Sequence, residues 1–207
     1  MWNEADPRIM YTVHNALRSF RHELLVLNFQ GIPILQQHGS ADDNVPAFHS
    51  RRLNQLAFQS GQDTSCKYVE LEGKGHWYDG VMTTSPLCKF YSDLLDTAAH
   101  IPTMPQCFSI VVANPADMGP KGDVMVDQLC TQDQLGKVDI VRDPLSRVWV
   151  MTTSNIHRFH FVPREDGGNT HPRVIIDGYM VRIRHEHPEL LCWYVRVGDG
   201  SWTVSHL

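Results

Sequence analysis

Residues 31–80 read GIPILQQHGSADDNVPAFHSRRLNQLAFQSGQDTSCKYVELEGKGHWYDG. The apolar run Ile32-Pro33-Ile34-Leu35 has the length of a buried parallel strand and breaks at Gly39. Asp42 and Asp43 follow in a loop. Pro46 then suits a first helical turn, where its missing N–H costs nothing, and Leu53, Leu56 and Ala57 continue at helical spacing until Gly61 stops the helix. The acids therefore fall on a strand-to-helix turn, the place where open parallel sheets bind ligands. A second strand is expected at Lys67-Tyr68-Val69-Glu70-Leu71, closed by Gly73 and Gly75, with His76 next. One acid and one histidine thus hang from successive strand ends. The spacing predicts one of the two carboxylates near the His76 ring, where it would fix the tautomer of a general base.

The words HGSADDNVP and GKGHW resemble the carboxyl-terminal part of the catalytic domain of the prolyl oligopeptidase family of serine peptidases, a branch of the α/β-hydrolases. In that family the acid lies three residues after the glycine of the HG pair and three before a valine. The resemblance therefore implies that Asp42, not Asp43, is the triad acid and His76 the triad histidine. It also implies an amide contact to substrate at Asn44. The order nucleophile, acid, histidine along the chain fits as well. Asp42 read alone is equally a turn former, and Asp43 a charge at a helix start. Trp77 and Tyr78 either shape a substrate pocket or pack on the turn. His38 and His49 read as structural histidines.

The nucleophile is the departure from the family pattern. About forty residues precede Asp42 and none spells the G-x-S-x-G elbow. Ser40 stands in the acid loop, Ser19 and Ser50 lie in helical patterns, and Ser60 ends a helix. The expectation is a fragment or truncated gene model that starts after the nucleophile and oxyanion-hole segments. Loss of the nucleophile costs about 10⁶ in turnover in a worked serine protease, so the chain alone is expected to be inert. The substrate would be a peptide or ester.

Outward from this stretch, the apolar residues Ile9, Val13, Ala16, Leu17, Phe20, Leu24 and Leu27 predict a helix over 7–29, and Leu87, Phe90, Tyr91, Leu94 and Leu95 one over 86–99. Residues 100–105, HIPTMP, read as a linker. Beyond it, nine short alternating or β-branched runs begin at Cys107, Val124, Lys137, Arg147, His157, Val174, Met180, Leu190 and Trp202. The loop or hairpin tip 164–169 separates two of them. The expected fold class is α/β: a partial α/β-hydrolase, the carboxyl-terminal strands and helices of a parallel sheet, over 1–99, then an all-β sandwich-like accessory domain over 106–207. The segments TSNIHRFHFVP and VIIDG are similar to a β-rich region that follows prolyl oligopeptidase-like domains in predicted hydrolases. That likeness assigns no residue a role and favours a longer parent.

Composition excludes some functions. With 42% hydrophobic and 20% charged residues in 207, the chain can bury a core, and a net charge of −5 argues against nucleic acid as a partner. No apolar run reaches membrane-span length, and residues 1–7 lack the charged start and apolar core of a signal peptide. Five cysteines form no C-x-x-C pair. His185-x-His187 with His171, or His157 with His160, lack fixed-spacing partners, so neither a metal nor a cofactor is expected. Two alternatives stay open: an esterase or depolymerase, and a non-catalytic binding protein using the β-rich domain, with Trp149, Trp193 and Trp202 exposed on one face for ligand stacking or buried as core.

Overall fold

The computed structural model describes residues 6–61, 66–97, 104–143, 145, 148–162, 173–181 and 192–206. The hairpin tip expected at 164–169, the histidines at 171, 185 and 187, and most of the expected linker lie outside them. The chain divides into two compact units, one of Val26–Pro105 and one of Met1–Leu25 with Gln106–Leu207.

Helix α1, Pro7–Ala16, is opened by Asp6, whose carboxylate accepts the Arg8 N–H at 2.9 Å, and by Pro7 in the first turn. It stops at Ala16, and three short 3₁₀ turns follow over Arg18–Phe20, His22–Leu24 and Val26–Phe29. The apolar stripe that predicted one helix to residue 29 supports little burial: α1 has no buried residue, and Ile9 and Phe20 are exposed.

In the Val26–Pro105 unit, strands β1 (Ile34–Gly39) and β2 (Cys66–Leu71) pair in parallel, Ile34 opposite Cys66 and Gly39 opposite Leu71. A parallel pair needs a crossover, which α2 (Phe48–Gln59) supplies. Pro46 lies just before α2, and Gly61, at φ +71°, takes the left-handed position just past its end. Val26, Ala57 and Cys66 form the small core with Phe29, Ile34 and Leu56 against it. Helix α3, Ser85–Thr97, packs on β1.

The second unit holds β3 (Cys107–Val112), β4 (Val124–Leu129), β5 (Gly136–Asp143), β6 (Val148–Ser154), β7 (Ile156–Phe161), β8 (Arg173–Ile176), β9 (Tyr179–Val181), β10 (Cys192–Arg196) and β11 (Trp202–His206). They form a five-stranded sheet β3-β5-β6-β8-β9 and a four-stranded sheet β11-β10-β7-β4. All neighbours are antiparallel except β6 with β8. The sheets meet through Trp149 of β6, which sits edge-on to Phe161 of β7 at 5.1 Å, and through Trp202 of β11, whose Nε1 donates to Asp177 at 3.0 Å. Asp177 and Gly178, at φ +50° and +86°, make the β8–β9 turn, and Asp177 also accepts the Thr153 N–H at 2.7 Å. Phe159, Tyr194, Ile140 and Met151 are fully buried in this core.

The fold class expected from the sequence is overturned. The described chain is mostly β, with eleven strands in three sheets and three short helices, and it is not a helix-flanked parallel α/β-hydrolase sheet. One crossover yields only the β1–β2 pair. Parallel sheets stand on strands buried on both faces, whereas Ile34 to His38 of β1 are only half-buried. The nine strands of the other two sheets carry the bulk of the hydrophobic core.

Candidate functional site

The end of β1 meets the loop after β2 at van der Waals limits. A Cβ on Gly39 would fall 2.3 Å from the Lys74 carbonyl oxygen and 2.6 Å from that of Gly75, so only glycine lets the two loops approach. Three bonds then lace them: the Ser40 N–H to Leu71 O at 2.9 Å, the Ala41 N–H to Lys74 O at 2.9 Å, and the Gly73 N–H to Ser40 Oγ at 2.8 Å.

Asp42 closes its own turn. Its Oδ1 accepts the N–H groups of Asn44 and Val45 at 3.0 and 2.9 Å, the side-chain-to-backbone pattern for which Asp is favoured in loops. His76 Nδ1 lies 2.9 Å from Oδ2 and 3.1 Å from Oδ1. The structure thus brings together the acid and the imidazole that the sequence placed on neighbouring strand ends. The Asp42 side chain is 7% exposed and that of His76 is 32% exposed. Burial works to raise the Asp42 pKa, but the Val45 N–H, the His76 ring and the Asn44 N–H outweigh it and hold the carboxyl below the usual range. An ionised carboxylate can only accept, so it places the His76 proton on Nδ1 and leaves a lone pair on Nε2. Nε2 has no hydrogen-bond partner among the described residues, and no described hydroxyl is bonded to it.

The other two sequence candidates sit beside this pair. Asn44 is exposed, and its bond within the site is through its backbone N–H. Trp77 is 79% exposed and stands edge-on to His76, with ring centroids 5.4 Å apart. It forms an open wall to the histidine rather than part of a core.

Two contributors escaped the sequence reading. Gln37 donates to Tyr78 Oη and to Val81 O, both at 3.0 Å, and accepts from Thr84 Oγ1, so it pins the segment after His76 to β1. His38, taken for an ordinary structural histidine, has Nε2 3.2 Å from Asp42 Oδ2. Neither an alternating strand pattern nor residue spacing signals such contacts.

A second aspartate–histidine pair, also unforeseen, lies on the four-stranded sheet. Asp127, beside a β4 bulge, accepts from His160 Nδ1 at 2.9 Å, and His160 neighbours Trp193 at 5.8 Å. Those side chains are only 15% and 17% exposed and sit within strands. Trp149, Trp193 and Trp202 do not share an exposed face: Trp202 is buried, Trp149 packs on Phe161, and Trp193 lies beside His160. Among the described residues no group of three or more His, Cys, Asp or Glu could hold a metal ion, and no helix is long and apolar enough to cross a membrane.

No family model matches the chain, and no solved structure matches it. Over 204 residues, 98% of the chain, it is 36% identical to a protein of Arthroderma benhamiae described as an uncharacterized secreted protein. The chain spans 22% of that relative's length, and the similarity runs through both compact units.

Proposed function

We propose that Asp42 and His76 are the acid and base of a serine hydrolase of the prolyl oligopeptidase type, acting on peptide bonds, with the nucleophilic serine on polypeptide outside residues 1–207. The observation that carries this reading is the 2.9 Å bond from His76 Nδ1 to a buried carboxylate, on a ring that is itself 32% exposed. In that arrangement Nε2 takes the serine proton as the hydroxyl attacks. The carboxylate then stabilises the imidazolium, and the same proton passes to the leaving amine. Asn44 and Trp77, exposed at the edge of the pair, are placed to touch substrate. That the curated relative is several times longer than this chain leaves room for the nucleophile segment.

The test is fluorophosphonate labelling of this chain and of the polypeptide extended upstream through a G-x-S-x-G elbow. The chain alone is expected to remain unlabelled, and the longer polypeptide to label at the elbow serine and to lose labelling in His76→Ala. Labelling at a serine within residues 1–207, or labelling of the longer form that survives His76→Ala, overturns the proposal. Peptide and ester substrates of matched acyl groups then separate a peptidase from an esterase or depolymerase.

A further inference from the structure

We propose that His38 is a positioning residue for the Asp42–His76 pair, a second imidazole that locks the carboxylate in the orientation His76 needs. The inference rests on the reading of that pair as acid and base.

His38 is 11% exposed and is engaged at both ring nitrogens. Nε2 lies 2.9 Å from the carbonyl oxygen of Val45, which can only accept, so this nitrogen carries a proton. The same ring nitrogen lies 3.2 Å from Asp42 Oδ2, an ion-pair distance, while its N–H is directed to Val45. Nδ1 lies 2.8 Å from Ser50 Oγ, so in the neutral ring it accepts the hydroxyl proton from α2. Val45 closes the circuit, since its own N–H donates to Asp42 Oδ1 at 2.9 Å. Strand end, acid turn and helix are thereby joined through one ring.

The consequence for Asp42 lies in how its two oxygens are occupied. Oδ1 takes the Asn44 and Val45 N–H groups, and Oδ2 takes His76. With donors on both oxygens, the carboxylate cannot rotate about its Cβ–Cγ bond without breaking contacts on each side, and His38 fixes one of those donors by holding the Val45 carbonyl. Remove the His38 donor and the Val45 carbonyl is released, so the Val45 N–H on Oδ1 loses its anchor and the turn loses its tie to Ser50. Glu70 and Arg51, paired at 2.7 Å where α2 lies on β2, are the nearby opposite charges, and Glu70 feels the His38 ring. They satisfy one another and leave Asp42 to the histidines.

The experiment uses the full 207-residue chain and ¹⁵N/¹H NMR of its imidazoles. In the unaltered protein His38 is expected as the Nε2–H tautomer, and His76 as the Nδ1–H tautomer with a low-field proton. His38→Phe is expected to abolish the low-field His76 resonance while the β-unit spectrum stays unchanged. His38→Gln, whose amide can donate to Val45 O, is expected to restore it. Three results each overturn the proposal: His38 found as the Nδ1–H tautomer in the unaltered protein, a folded His38→Phe that keeps the His76 resonance, or a His38→Gln no better than Phe. The first needs no variant and decides the matter if His38→Phe does not fold. This outcome is separable from that of the proposed function, which stands or falls on labelling of the longer polypeptide and its loss in His76→Ala.

Discussion

Replacing Gly39 by alanine tests the frame of the site with a single methyl group. The new Cβ would start 2.3 Å from the Lys74 carbonyl oxygen and 2.6 Å from that of Gly75, where real Cβ atoms essentially never come below 3.0 Å. Both obstacles are backbone, so no rotamer change relieves them. The loop carrying His76 must retreat as a unit by about 0.7 Å merely to reach that limit, and by about 1 Å to reach ordinary contact. A retreat of that size along the bond directions turns the 2.9 Å bond of Ala41 to Lys74 and the 2.9 Å bond of His76 to Asp42 into separations near 3.6–3.9 Å, too long for hydrogen bonds. Overpacking costs roughly 1–3 kcal/mol, and each lost hydrogen bond roughly 0.5–1.5 kcal/mol. Gly39→Ala is therefore expected to destabilise the Val26–Pro105 unit by about 2–6 kcal/mol. Urea unfolding followed by NMR of resonances from that unit measures the loss, and the low-field His76 proton reports the pairing. A variant within about 0.5 kcal/mol of the parent that retains the His76 proton would refute the close-approach argument.

Other outcomes follow from the charges and the core. The Asp42 carboxyl sits below its ordinary value when folded, so the stability it contributes is present above the unfolded carboxylate value and is lost as pH falls through the folded one. Asp42→Asn should flatten that acid limb of a thermal-melt series, and an unchanged limb would contradict the assignment. Burial pushes the Lys121 ammonium down to about 8, although its Nζ donates to Ser109 O at 2.9 Å. Its folded value lies below the unfolded one, so the unfolded chain binds more protons between them, and stability should rise with pH from about 8 toward the ordinary lysine value. Lys121→Met should remove that rise in a melt series read across the interval. The Tyr194 hydroxyl is buried without a hydrogen-bond partner among the described residues, so Tyr194→Phe should be neutral or stabilise the β unit by up to about 1 kcal/mol in urea unfolding. A loss above about 1 kcal/mol would show that the hydroxyl is paired.

The pattern of the chain made the β unit legible. All nine strands lie where short alternating runs appear between turn residues, because β3 to β11 each bury one face and the side chains alternate: Val124, Val126 and Leu129 go inward while Gln128 is exposed. The parallel pairing of β6 with β8 was not legible, since strand direction depends on contacts far apart in sequence. In the other unit, the strand-turn-helix-strand order and the turn residues foretold β1, α2 and β2, yet a local βαβ pattern carries no information about how many strands join the sheet. That is why the α/β class was overestimated. The long helix expected at the start failed for a related reason. An apolar stripe predicts a helix only if something buries it, and Ile9 and Phe20 stay exposed. In the site, an acid and His76 were readable from their places at strand ends, and the family resemblance singled out Asp42 from Asp43. His38 was not, because its role comes from a contact across the turn to Val45 and another to Ser50 on α2. The Asp127–His160 pair was hidden by a bulge that no spacing rule marks.

The most direct measurement is the protonation pattern of the His76 ring, read from ¹⁵N chemical shifts at a pH where the ring is neutral. A base held by Asp42 must carry its proton on Nδ1, and Asp42→Asn must disturb that preference. A neutral His76 with its proton on Nε2, unmoved by Asp42→Asn, would mean the carboxylate does not hold the ring, and the acid–base assignment would fall with it.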